Sequence, residues 1–164
     1  MLVGESFQGE GINAAHINVV LGRRDGPVGT AWATALATPS AGHAPFVAVA
    51  QPGVPVVPPT LFVNKAAIAS PAHANLTWGA AQAGVARGVG QALEQSVVDE
   101  SDVGNLVLIA AVWVNPDADD EAKVYANNRA ATLEALRRAV EKRPSAEEFL
   151  LAARSPCNPF FRPS

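Results

Sequence analysis

The stretch Ala14-Ala15-His16-Ile17-Asn18-Val19-Val20-Leu21 decides the fold. Ile17, Val19 and Leu21 recur at every second position, which is the period of a β-strand with one face in a core. His16 and Asn18 share the opposite face, two residues apart. One strand therefore carries a core on one side and an imidazole beside a carboxamide on the other.

Working outward, an earlier short strand is predicted over about Leu2–Phe7. After Gly26-Pro27, a helix with proline in its first turn should run to about Ala37. Strands follow near Phe46–Ala50 and Leu61–Ile68. Between them, Gln51-Pro52-Gly53-Val54-Pro55-Val56-Val57-Pro58-Pro59 holds four prolines and must be extended or turning. A long helix is predicted from about Leu76 to Val97. Asn105–Val114 reads as a strongly apolar, central strand. Asn115-Pro116-Asp117 breaks the chain before a helix of about Asp119–Lys142, with Ala122, Ala126, Leu133, Leu136 and Val140 as its apolar stripe. Ser145-Ala146-Glu147-Glu148 has capping-box spacing and should open a short last helix. Strands interspersed with helices give an α/β-type domain.

The bulk composition narrows the function classes. A chain of 164 residues, 49% apolar and 16% charged, fits one domain with an ample core, residues 1–164. Residues 144–164 form its tail, where Phe160 and Phe161 are expected to dock on the same domain or on a neighbouring subunit. A net charge of −3 with no basic stripe disfavours nucleic acid. No window approaches the length of a membrane span, and the first residues lack the pattern of a signal peptide. A single cysteine, Cys157, excludes an internal disulfide framework and fits a cytoplasmic location. His16, His43 and His73 are too dispersed to read as a metal site. No serine has a nucleophile-elbow context, and Gly9-Glu10-Gly11 lacks the third glycine of a dinucleotide fingerprint.

Three polar residues stand out. His16 has an ordinary pKa of roughly 6.5, suited to proton transfer near neutrality, though a hydrogen-bonded structural histidine has the same signature. Lys65 follows the apolar run Leu61-Phe62-Val63 and is either a strand-end charge or a cation at a site mouth. Gln82 is the one polar member of the helical stripe Trp78, Gln82, Val85, Val89 and Leu93. A buried amide needs partners, either backbone groups or a ligand. Gly79, Gly84, Gly88 and Gly90 weaken that helix and imply close approach, chiefly tight helix packing.

Taken in order, several segments carry a resemblance. They are Val3-Gly4-Glu5, Gly9-Glu10-Gly11, Ala15-His16-Ile17-Asn18, Pro52 with Val54-Pro55, Pro59-Thr60-Leu61, Asn64-Lys65, Gly79 through Ala86, and Asp119-Asp120-Glu121-Ala122-Lys123. Together they resemble the formaldehyde-activating enzyme family, the 5,6,7,8-tetrahydromethanopterin hydro-lyases. The resemblance implies an α+β two-layer sandwich of the ribosomal-protein-S5-domain-2-like type, with a mixed sheet packed against helices. It implies a hydro-lyase of one-carbon metabolism, condensing formaldehyde with tetrahydromethanopterin to the 5,10-methylene derivative and water. Tetrahydromethanopterin would be a co-substrate, with no permanently bound cofactor and no metal. The assembly would be a homopentamer with the pterin between subunits.

The resemblance places the proton donor on His16 and pterin contacts on Asn18, Val47, Lys65, Ala67 and Gln82. Lys65 and Gln82 keep the family's residue type. Asn18 stands where the family has Asp, Val47 where it has Leu, and Ala67 where it has Thr. An amide is neutral and also donates, whereas a carboxylate only accepts. Loss of a neighbouring anion should lower the histidine's pKa. These departures leave open a paralogue acting on another aldehyde or reduced pterin, or one that binds a pterin or one-carbon adduct without catalysis.

Overall fold

A computed structural model describes residues 1–159, 161 and 163. Its chain order is β1 (Leu2–Gln8), a 3-10 turn (Gly11–Asn13), β2 (Ala15–Arg23), α1 (Pro27–Ala37), β3 (Phe46–Val47), β4 (Val49–Gln51), β5 (Val54–Pro55) and β6 (Thr60–Asn64). There follow α2 (Pro71–Asn75), a π-helical segment (Leu76–Ala81), α3 (Gln82–Glu94), a 3-10 segment (Glu100–Asn105), β7 (Leu106–Trp113), α4 (Glu121–Glu141) and α5 (Ala146–Ala152). The main sheet runs β1-β2-β7-β6-β3, so the apolar strand β7 is central, as its composition predicts. β6 and β7 are parallel and the other pairs antiparallel. A parallel pair needs a crossover connection, and α2 through α3 supply it. The result is a mixed sheet packed against helices, an α+β fold.

The alternation in β2 holds. Ile17 and Val19 are fully buried and Leu21 nearly so, whereas His16 and Asn18 are only partly covered. Glycines show which helix covers which face. Gly4 of β1 pairs with Val19. A Cβ on Gly4 would fall 1.9 Å from the Ala135 carbonyl oxygen, so α4 lies hard against the core face. Gly22 has the parity of Asn18, and a Cβ there would meet Val28 of α1 at 2.6 Å. Helix α1 therefore covers one end of the opposite face. The other end, where His16 and Asn18 lie, stays open.

Three elements differ from the sequence expectation. The strand predicted over Phe46–Ala50 is divided into β3, which pairs with β6, and β4, which pairs with β5 in a separate two-stranded sheet. The helix predicted over Leu76–Val97 begins with a π turn and ends at Glu94. A π turn adds a residue per turn, which rotates Trp78 out of the stripe and leaves it 46% exposed, while Gln82, Val85 and Val89 are buried. The strand predicted over Leu61–Ile68 stops at Asn64. The buried Asn64 amide donates to the Gly42 and Ala66 carbonyls at 2.8 and 2.7 Å, curling the chain. The Lys65 N–H still donates to Val112 at 2.7 Å, so Lys65 keeps the register of β7.

The four glycines also divide. Gly84 and Gly88 face α4, where a Cβ would lie 2.6 Å from the Tyr125 oxygen and 2.7 Å from the Arg129 oxygen. Gly79 faces open space, and at Gly90 the nearest atom is a guanidinium nitrogen of Arg87 at 3.5 Å. Close packing thus accounts for two of the four.

Ser145 and Glu148 form the expected capping box of α5. Beyond it, Cys157, Asn158 and Pro159 line the pocket over β1 and β2. Phe161 is 57% exposed on this chain, and Phe160 lies outside the described residues. No helix among the described residues is long and apolar enough to cross a membrane.

Candidate active site

The open end of the sheet is a cavity of about 840 Å³. Register builds its floor. β1 and β2 pair Glu5 with Asn18 and Phe7 with His16, while β2 and β7 pair Asn18 with Ala111 and His16 with Trp113. Val63 lies opposite Ala111 in β6. Lys65, two residues on, completes the second row beside Trp113. Side chains of like parity project together, so Glu5, His16, Asn18 and Lys65 converge from three strands onto one floor.

They form a hydrogen-bonded chain. His16 Nε2 lies 3.1 Å from Glu5 Oε1. His16 Nδ1 lies 3.1 Å from Lys65 Nζ. Lys65 Nζ also donates to Asn18 Oδ1 at 2.8 Å. A neutral imidazole satisfies both neighbours in one tautomer, with Nε2–H donating to the carboxylate and Nδ1 accepting from the ammonium. The Phe7 ring is tilted against the imidazole, with centroids 6.0 Å apart.

The electrostatics favour that state. Burial, then the Lys65 charge, push the His16 pKa below its ordinary value, and Glu5 opposes them. Burial lowers Lys65 to about 8, again against the pull of Glu5. A lowered histidine agrees with the expectation from Asn18, but the cause differs. Asn18 bonds to Lys65, and the carboxylate beside His16 is Glu5.

The other two histidines are structural. His43 Nδ1 donates to the Asn64 carbonyl at 2.8 Å. His73 is buried, accepting from Ala69 N–H and donating to the Val114 carbonyl at 3.2 and 3.1 Å.

Of the six residues singled out in the sequence, His16, Asn18 and Lys65 share this cavity. The remaining three do not line it. Gln82 is buried and exchanges two hydrogen bonds with Val49, donating to its carbonyl at 3.1 Å and accepting from its N–H at 3.0 Å. That is the backbone alternative left open by its position on the helix. Val47 pairs with Leu61 at the sheet edge, and Ala67 is exposed beside Gly42. Sequence reasoning passed over Glu5, Phe7 and Trp113. The alternation of β1 marks Glu5 and Phe7, and only the pairing of β1 with β2 brings them to His16.

Residues 3–161 match the family model for formaldehyde-activating enzyme (Fae). The chain belongs to this family. A 5,6,7,8-tetrahydromethanopterin hydro-lyase from Methanosarcina barkeri is 40% identical over 159 residues, spanning 97% of this chain and 89% of that protein. Proteins named bifunctional enzyme Fae/Hps are also similar. The one from Methanosphaera stadtmanae is 38% identical over 90% of this chain, and the one from Archaeoglobus fulgidus 35% identical over 96%. The chain spans 36% and 40% of those two longer relatives. The site of this Fae-family chain thus lies within the matched region, from Glu5 to Pro159.

Proposed function

We propose that this protein condenses formaldehyde with tetrahydromethanopterin, giving the 5,10-methylene derivative and water. The observation that carries the reading is the Glu5–His16–Lys65 chain at an open pocket in a member of the formaldehyde-activating family. The reaction joins one carbon to two pterin nitrogens and expels its oxygen as water. The oxidation state of the carbon is unchanged, so no redox partner enters the balance.

Attack of a pterin amine on formaldehyde is easy. Loss of hydroxide from the resulting carbinolamine is harder, and a general acid makes water the leaving group. The His16–Lys65 pair carries one shared proton. Moving it from Lys65 Nζ to His16 Nδ1 forms an imidazolium, which Glu5 stabilises through Nε2–H. The imidazolium then protonates the leaving hydroxyl. Asn18, Val47, Lys65, Ala67 and Gln82 are assigned to the pterin side of the reaction. Gln82 acts through the Val49 backbone that it holds, and Val47 lies two residues before that contact. Orienting the two pterin nitrogens contributes the rest of the acceleration.

The assembly is a homopentamer in the cytoplasm. Phe149, Leu150 and Leu151 of α5 are 60, 64 and 66% exposed, a patch suited to burial against a second subunit.

Absorbance-monitored stopped-flow with formaldehyde and tetrahydromethanopterin, with and without the protein, tests the reading. Acceleration over the spontaneous condensation is expected, with tetrahydrofolate slower. No acceleration, even with tight pterin binding, overturns it.

A further inference from the structure

We propose that Lys65 is a nucleophile that carries formaldehyde as a covalent iminium and hands it to the acceptor amine. The inference rests on formaldehyde being the substrate and extends the role of this site.

The geometry supports it, and the electrostatics agree. Lys65 Nζ faces the cavity and is held by two neutral partners, Asn18 Oδ1 at 2.8 Å and His16 Nδ1 at 3.1 Å. Among the described residues no carboxylate forms an ion pair with it. The charged and titratable groups around it are Glu5 and His16 on the sheet and Cys157 on the tail. The chain has two other lysines, both exposed. Lys123 is held as a cation by Asp120 at 3.0 Å, and Lys142 caps the end of α4. Burial brings Lys65 to about 8, which leaves roughly a hundred-fold more free amine at pH 7 than an ordinary lysine has.

The shared proton makes the pair bifunctional. When it moves from Nζ to His16 Nδ1, Lys65 becomes an amine and His16 an acid in one event. The Nζ lone pair attacks the formaldehyde carbon, the carbonyl electrons pass to oxygen, and a proton moves from nitrogen to that oxygen to give Nζ–CH2–OH. His16 Nδ1–H protonates the hydroxyl, the C–O bond breaks, and water leaves an iminium on Nζ. The acceptor's first secondary amine adds to this carbon. Expulsion of Lys65 gives the acceptor's own iminium, which the second amine closes. The proton released returns to the His16–Lys65 pair. The sum is formaldehyde plus two N–H groups giving a methylene bridge and water.

Reductive trapping tests this without any pterin. The protein is treated with isotopically labelled formaldehyde and cyanoborohydride at pH 7, and labelled methyl groups are assigned by peptide mass spectrometry. Lys65 should be labelled at least tenfold faster than Lys123 and Lys142. Asn18→Asp places an anion on Nζ and should slow Lys65 labelling several-fold at pH 7, with recovery at pH 9. Lys65→Arg keeps a cation but forms no iminium, and should lose the acceleration of condensation while its melting temperature holds. Labelling of Lys65 no faster than of the other lysines overturns the proposal. So does an Asn18→Asp protein labelled at the original rate, or a Lys65→Arg protein with full acceleration. A wild-type protein that accelerates condensation but gives no trapped Lys65 leaves the general reaction standing and removes the iminium from it.

Discussion

Lys65 Nζ and His16 Nδ1 lie 3.1 Å apart, joined across β2, β7 and the end of β6 rather than along one strand. The two side chains compete for one proton. The Lys65 charge holds the His16 pKa down, burial holds Lys65 down, and Glu5 beyond His16 opposes both. Small changes around this pair should therefore show in rate and in pH dependence.

Removing the imidazole should remove the acid. His16→Ala is expected to lower the protein-catalysed rate by on the order of 10²–10⁴-fold. The side chain is partly exposed on the open face, so the melting temperature should shift by only a few degrees. Stopped-flow kinetics and thermal unfolding on the same sample check both.

The rate should be bell-shaped in pH. The pair must hold one proton, so activity rises through the His16 pKa, which lies below its ordinary value, and falls through Lys65 near 8. An anion at position 18 favours the ammonium, so Asn18→Asp should move the alkaline limb upward. A limb that stays in place removes Lys65 as its origin.

Lys65 should cost stability at neutral pH. Its pKa is about 8 in the folded protein and roughly 10.4 in an unfolded chain. Between these values the unfolded state binds more protons, so stability rises with pH across that window and the penalty is fully present below it. Lys65→Met should then be more stable than the parent at pH 7 by about 1 kcal/mol, discounted for water reaching a half-buried amine. The gain should fade above pH 10. Urea unfolding at pH 7 and pH 10 gives the comparison.

The helix glycines should separate by environment. Gly84→Ala drives a Cβ into the α4 backbone and is expected to cost about 2–3 kcal/mol. Gly79→Ala meets nothing within 4 Å and should be neutral or stabilising by under about 1 kcal/mol. Equal losses at both positions would contradict this assignment.

What the sequence makes legible is local. The period-two pattern of Ile17, Val19 and Leu21 tells which face of β2 is buried and therefore where His16 and Asn18 point. Pro27, Ser145 and Glu148 mark helix starts because caps and prolines act within one turn. The π turn at Leu76–Ala81 has no such mark, since its alanines and glycine suit either helix, and a regular α-helical period puts Trp78 in the core stripe. Glu5 shows the complementary limit. It alternates correctly within β1, but its role comes from strand pairing, which depends on the whole sheet. Gln82 was recognisable as a buried amide needing partners, and which partners it has depends on where β4 passes.

The two faces of β2 have a consequence for interpreting variants. A one-residue slip of β2 against its neighbours would exchange the rows, turning the imidazole toward α4 and an isoleucine toward the cavity. Folding correctly and being chemically competent are thus the same event in this segment. Turnover by any variant altered between residues 9 and 14 would itself report that the strand has settled in frame, a register assay needing no structure determination.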